Sequence, residues 1–356
     1  MNDRLILVIF VVNIFLLHGC RYYLAHFIYY MGMSRIVWID YAKAIGILLV
    51  VMGHSYYSHP SVVYIIFLFH MPLFFFISGY LYNVNKNCWE LIHNNIKTLI
   101  VPFLLFNLIG LVNNCLLGGA RLLLGLDTEW NHRLLIPLCN TLIGKAEGMF
   151  IGPTWFLLSL FWCKNIVFAF VKGGIGRRII IIITVLVLLL LRFYNNVYYP
   201  YALDTACAGV IWFTLGFMVR QYNLHFDLRR QYILIVFICS VILEFLLYRL
   251  GARVNYIAMN MGGALGICST IVGLIMIISV SKSLERFPNK YIVNVSRASI
   301  LIMCMHMIIA NYFNLVLHYE GGLLHTFVGD LIVVILLTWV YPFVSRYIPI
   351  LVGNRK

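Results

Sequence analysis

The chain has 356 residues, of which 63% are hydrophobic and only 11% charged, and apolar runs of about 18 residues recur along its whole length. That excludes a water-soluble globular domain. The formal net charge of +14 sits in short loops between apolar runs, with no continuous basic face interleaved with aromatics, so nucleic acid is not an expected partner.

Within a bilayer every backbone N–H and C=O must be satisfied by the chain itself, and the period-two alternation of a β-barrel is absent. The expected fold is therefore all-α, a polytopic bundle of membrane helices.

Taken in chain order, residues 1–33 come first. Arg4 followed by "LILVIFVVNIFLLHGC" has the pattern of a signal sequence or a poor lipoprotein box, with His18 an awkward residue two before Cys20. The stretch reads as a hydrophobic N-terminal extension, with translation starting at Met31 or Met33; kept as an extra span, it would place residue 1 outside. Residues 34–350 form the membrane domain.

Apolar runs bounded by charge, Gly or Pro predict ten core spans near 36–54, 62–82, 99–117, 153–171, 178–193, 201–219, 231–249, 255–280, 298–318 and 326–346. Alternate loops hold most of the Lys and Arg residues, among them Lys97, Lys172, Arg177, Arg178, Arg220, Arg230, Lys282, Arg286, Lys290 and Arg297. By the positive-inside rule the chain is integral to the cytoplasmic membrane with both ends of the ten-span core in the cytoplasm. Residues 118–152 are too polar and too often broken by Gly and Pro to span, and predict an external re-entrant or interfacial loop. Nine cysteines are scattered with no CxxC pair and no metal-ligand spacing to His, so they read as small apolar residues and no metal site is expected.

The first span, "YAKAIGILLVVMGH" at its centre, keeps two ionisable groups. Lys43 and His54 are eleven positions apart, which returns them to within about 20° of one helical face and separates them by about 16 Å along the axis. Asp40 precedes Lys43 by three residues, on nearly the same stripe, and Gly46 permits close approach of a ligand or another helix. His70 lies inside the second span in "FHMPLFFFISGY", with Ser78 and Gly79 at the end of its aromatic run. His306 lies about 12 Å into the ninth span, "SRASILIMCMHMIIAN". Polar groups in a membrane interior mark a pathway or a site, and three histidines converge on that reading.

Further along, Trp155 stands at an external span end, for the interfacial aromatic belt or for stacking on a ligand ring. Lys164 is deep in the fourth span, where it can bind an anion or pair with an acid. Glu244, in the seventh, pairs with Arg249 or Arg192, or accepts hydrogen bonds from a ligand. Asp204 and Asp330 stand near external helix ends, with Asp330 expected as an N-cap.

"RIVWIDYAKAIGILLVVMGH", then "FHMPLFFFISGYLY", then "GPTWFLLSLFW" resemble the acyltransferase-3 family of integral membrane acyltransferases, specifically its fucose O-acetylase-like branch, over about residues 35–345. The first two motifs are the specific ones. The resemblance implies about ten core helices and transfer of an acyl group, usually acetyl from acetyl-CoA, to a hydroxyl of a cell-surface glycan or lipid-linked sugar, with no permanently bound cofactor. The family hallmark, a basic residue, ten intervening positions and a histidine, falls on Lys43 and His54. Arginine is commoner at the first position, so a point-charge contact replaces a bidentate clamp. Asn94 and Asn95 also stand where further basic residues are usual.

Acyl transfer to an alcohol needs a base, a site for the developing oxyanion and exclusion of water. A water-shielded imidazole suits the first task. The expected roles are His54 as general base, Lys43 as contact to donor phosphate with Asp40 orienting it, and His70, Ser78, Trp155, Lys164, Glu244 and His306 in binding substrate. The competing expectation is a polytopic transporter or flippase, because buried charges and histidines also build substrate paths.

Overall fold

The computed structural model describes residues 35–55, 60–85, 87–126, 130–195, 199–224, 230–255, 261–317 and 323–353. The N-terminal extension at 1–33 lies outside them. The described chain is helical: α1 (Val37–Gly53), α2 (Pro60–Tyr80), α3 (Cys88–Asn95), α4 (Val101–Leu123), α5 (Ile136–Ile143), α6 (Trp155–Lys172), α7 (Ile175–Asn195), α8 (Leu203–Gln221), α9 (Arg230–Arg249), α10 (Gly263–Leu284), α11 (Lys290–Leu317) and α12 (Leu323–Tyr347). Ten of these fall on the ten predicted spans. Among the described residues eight segments are long and apolar enough to cross a membrane; α1 and α7 complete the set of ten. At 17 residues α1 is about 26 Å long, short of a hydrocarbon core of about 30 Å. Other helices rather than lipid surround it, and eleven of its residues are buried.

Three span starts lie eight or more residues from expectation: α11 begins at Lys290 rather than at 298, and the other two differ for local reasons. The eighth helix of the ten starts at Gly263, where Gly262 and Gly263 adopt positive φ (71° and 57°) that other residues disfavour. The third continues back to Cys88 through a π turn at Ile96–Ile100. Pro102 sits just beyond that turn; its ring would crowd the carbonyl four residues earlier, and the wider turn relieves this.

Helix α1 packs against α2, α10, α11 and α12. It runs antiparallel to α2, since Gly53 meets Ile66 and Phe67, Gly46 meets Leu73 and Phe74, and Trp38 meets Tyr80 edge-on at 5.1 Å. These contacts define two ends of the bundle, one at Arg35 and one at His54. Helix α2 also crosses α8 at very short range: a Cβ on Gly79 would lie 1.9 Å from the Phe213 carbonyl oxygen, and one on Gly216 2.0 Å from that of Phe76. Backbone-to-backbone contact of this kind is how helices gain packing in lipid, where apolar burial between them drives little.

Pro72 lies inside α2 and cannot donate to the carbonyl of Leu68. Thr270 Oγ1 on α10 donates to that carbonyl at 2.8 Å, so the group freed by proline is satisfied by a neighbouring helix. On the periphery, α7 and α9 turn Ile179, Ile180, Ile183, Ile235, Ile238 and Phe245 outward, the surface that hydrocarbon requires. Cys163, Cys207 and Cys304 are buried as free thiols, while Cys239 and Cys268 are exposed.

The segment expected to be re-entrant or interfacial carries α5, whose Ile136, Leu138 and Leu142 are exposed, and then folds back into the bundle. Ala146, Met149 and Ile151 join the core. Asn107 on α4 organises this return: its Nδ2 donates to Thr154 Oγ1 at 2.9 Å, and its Oδ1 accepts from the Ile151 N–H at 3.2 Å. The short 3-10 turn Gly152–Thr154 packs against α11, the helix that carries His306.

Candidate active site

The polar residues of α1 divide between its two ends. At the first, Asp40 is 5% exposed and both its oxygens are engaged. Arg35 Nε pairs with Oδ2 and Arg35 Nη2 donates to Oδ1 at 2.7 Å; Ser296 Oγ on α11 also donates to Oδ1, at 2.6 Å. Among the described residues no ion pair joins Asp40 to Lys43, so the direct orienting contact expected from their spacing is not made. Asp40 instead fastens the start of α1 to α11. Lys43 follows one turn later, half-buried on the same helix. Gly46 is covered by Leu73 and Phe74, so the approach it permits is that of a helix.

At the other end the three histidines meet. His54, the residue that caps α1, has its ring 5.4 Å from that of His306 and 5.8 Å from that of Phe67, centroid to centroid. Phe67 in turn lies 5.0 Å from His70. His70 Nδ1 donates to the Ile66 carbonyl at 2.9 Å, and His306 Nδ1 to the carbonyls of Ile302 and Met303 at 3.0 and 2.9 Å. A carbonyl only accepts, so each Nδ1 carries the hydrogen and Nε2 is left as the lone-pair nitrogen of the neutral ring. His306 Nε2 is buried with no hydrogen-bond partner among the described residues.

Ser55, next to His54, donates to Asp330 Oδ1 on α12. The expected N-cap role for Asp330 is thereby corrected. Helix α12 starts at Leu323, so Asp330 lies about two turns inside it and is buried beside the histidine cluster.

The other expected site residues are more dispersed. Ser78 is about 12 Å along α2 from His70, towards the Arg35 end, and does not join the histidines. Trp155 is only 4% exposed and packs edge-on to Phe156 at 6.2 Å, which corrects its assignment to an interfacial belt. Its ring is drawn inward because the preceding loop returns into the core. Glu244 pairs with neither arginine: Ser269 Oγ donates to its Oε1 at 2.7 Å, and Arg192 stands 3.6 Å from Asp204. The Lys164 carbonyl accepts from Tyr82 Oη at 2.7 Å, which puts Lys164 on the Arg35 side of α6. Among the described residues no group of three or more His, Cys, Asp or Glu is arranged to hold a metal ion.

That Tyr82 contact borders a feature that sequence reasoning missed. A cleft of about 290 Å³ opens at the Arg35 end between the start of α1 and the ends of α2 and α8, lined by Ile36, Tyr80, Tyr82, Asn83, Phe217 and Arg220 among others. Among the described residues no acidic side chain lines it. The Arg220 guanidinium lies 5.4 Å from the centre of the Tyr80 ring. A cation over an aromatic face in an open cleft suits a planar anionic group.

The helix bundle thus presents an imidazole cluster at one end of α1, a cation on the same helix, and a basic aromatic cleft at the other end. Such an arrangement can bind an anionic group at one end and accept a proton at the other. No curated protein and no solved structure matches the chain significantly. The family model described as "Acyltransferase domain" matches residues 36–343, well over half of the 356 residues, and runs through every element that builds the two ends. This chain belongs to the acyltransferase-3 family and is a membrane acyltransferase.

Proposed function

We propose that the chain transfers an acetyl group from acetyl-CoA to a hydroxyl of a cell-surface or lipid-linked sugar, as the fucose O-acetylase-like branch does, with the Arg35 end towards the cytoplasm. The observation that carries this reading is the placement of His54: its ring contacts His306 and Phe67, but among the described residues its nitrogens make no hydrogen bond, so it is available to a substrate. His54 takes the proton of the acceptor hydroxyl as the oxygen attacks the thioester carbonyl. The tetrahedral intermediate expels CoA thiolate, the C–S bond breaks, and the imidazolium returns its proton to sulfur. The products are the acetyl ester and CoA–SH.

Lys43, about 16 Å back along α1, contacts the anionic part of the donor. The nucleotide end occupies the cleft at Tyr80, Tyr82 and Arg220, and Lys164 lines the same side. The Lys- and Arg-rich loops at the Arg35 end support a cytoplasmic orientation for that end, where acyl-CoA is supplied.

The test is radiolabelled acetyl-CoA presented to membranes containing wild-type or His54→Ala protein at equal levels. Label is expected in glycan for wild type and reduced by at least about 10²-fold for the variant, the range for loss of a general base. Full transfer by His54→Ala rejects the assignment of the base, and no transfer by wild type to any glycan rejects the proposed reaction.

A further inference from the structure

The proposed reaction makes no use of Asp330, the only carboxylate in the α12 sequence, yet Asp330 is tied to the residue that follows His54. Its side chain belongs to a residue 4% exposed. One oxygen accepts from Ser55 Oγ; the other, Oδ2, is buried and has no hydrogen-bond partner among the described residues. Bracing Ser55 needs only the first oxygen. The second bears the full desolvation of an unsatisfied polar atom, in a span where carboxyl groups are kept for a site.

His306 repeats the pattern on α11. It is 1% exposed, its Nδ1 is spent on two backbone carbonyls, and its Nε2 is buried without a partner among the described residues. Helices α11 and α12 pack against each other and both pack against α1. Two unsatisfied groups therefore come from two helices to the end of α1 that carries His54. An ionised carboxylate oxygen and the Nε2 of a neutral ring only accept, so what completes them is a ligand with O–H or N–H donors. The thioester and acyl group that reach His54 have none, and the amide N–H groups of a pantetheine arm are strung singly along a chain. A polyol has one on each of several neighbouring carbons.

We propose that Asp330 Oδ2 and His306 Nε2 bind hydroxyls of the acceptor that neighbour the one presented to His54, so that this site selects a vicinal polyol over a simple alcohol. Asp330 is the stronger anchor, because hydrogen bonds to a carboxylate exceed those between neutral groups. The inference rests on the acyl-transfer reading for what happens at His54, and concerns separately which residues bind the acceptor.

Equilibrium binding of methyl fucoside, methyl galactoside and methyl glucoside to the purified full chain in detergent, without donor, tests it. Asp330→Asn preserves shape and an oxygen for Ser55 but puts an N–H donor where Oδ2 was. Ser55→Ala removes the brace and keeps the carboxylate. For the glycoside that binds wild type, Asp330→Asn is expected to weaken binding at least tenfold and Ser55→Ala no more than about threefold. A monodeoxy analogue that binds wild type tenfold more weakly than its parent should bind Asp330→Asn as well as the parent does. Should Asp330→Asn fail to fold, His306→Phe carries the same comparison. Equal weakening by Asp330→Asn and Ser55→Ala reduces Asp330 to a brace and overturns the proposal, as does the absence of saturable binding of all three glycosides to wild type. Because no donor is present, glycoside binding that behaves as expected alongside absent acetyl transfer sinks the reaction and leaves the binding site standing.

Discussion

The rings of His54 and His306 lie 5.4 Å apart, centroid to centroid, at a 44° tilt across the α1–α11 packing, and His306 has its Nδ1 fixed by backbone carbonyls while His54 does not. One imidazole is thus held and the other is free to exchange a proton. His306→Phe retains the ring contact and removes the lone pair. It should leave protein levels unchanged and lower kcat/KM for the acceptor by about tenfold, which is about 1.4 kcal/mol of transition-state stabilisation. The KM for acetyl-CoA should not move. Steady-state kinetics in membranes, varying donor and acceptor in turn, would show this; a change confined to the donor KM would place His306 elsewhere in the mechanism.

The Thr270 bond to the Leu68 carbonyl exists because Pro72 denies that carbonyl its helical donor. Thr270→Val should therefore destabilise the chain by about 1 kcal/mol, within the range for interhelical hydrogen bonds in membranes. In a Pro72→Ala background the restored N–H satisfies Leu68 from within α2, and the same change should cost much less. Unfolding of the four proteins in detergent completes the cycle. Additive effects would mean that the threonine stabilises by some route other than the proline gap.

Most of the span pattern was legible in the sequence, because a bilayer imposes length and polarity on each helix separately. The placement of Lys43 and His54 on one helix and its cap was legible too, from their spacing. What was hidden depends on which helices meet. Asp40 stands three residues from Lys43 in sequence, but Arg35 and Ser296 reach it first, and Ser296 comes from the far end of the chain. Asp330 lies near enough to the expected start of α12 to read as a cap, but the helix begins at Leu323, which puts Asp330 about two turns inside it and beside Ser55. A span beginning at Trp155 points to the interface, whereas the loop before it folds inward around Asn107. Arg35 carried a signal that went unused, an arginine just ahead of a helix whose first turn holds an aspartate.

The crossing of α2 and α8 leaves no room for a side chain at Gly79 or Gly216, since the atoms in the way belong to backbone carbonyls that cannot rotate aside. Gly216→Val should force the helices apart and destabilise the chain by more than the 1–3 kcal/mol or so usual for overpacking. The expected result is loss of the protein from membranes or a much lower melting temperature in detergent. Near-normal stability would show that this crossing can open without cost.

Arg220 offers a test of how the donor is held. Arg220→Ala should raise KM for acetyl-CoA by about tenfold, the scale of one desolvated cation or stacking contact, with kcat nearly unchanged. Acetyl-pantetheine lacks the nucleotide, so wild type and variant should use it equally poorly. If the variant loses the same factor with both donors, the cleft at Tyr80 and Tyr82 does not hold the nucleotide.

Lys43 and Asp40 are close on α1 yet should fail in different ways. Asp40 is buried and receives three hydrogen bonds, so Asp40→Ala leaves Arg35 and Ser296 without their partner where α1 meets α11. Breaking a buried pair costs about 3–5 kcal/mol, a figure to be reduced here because the Arg35 side chain is 33% exposed. The expected phenotype is less folded protein, with normal activity per molecule in what remains. Lys43→Gln removes a cation that no described residue pairs with directly, so protein levels should hold while KM for acetyl-CoA rises. Lys43→Arg keeps the charge and should restore most of the activity. Measuring membrane abundance alongside donor KM separates the two residues; the assignments fail if Asp40→Ala lowers turnover without loss of protein, or if Lys43→Gln does the reverse.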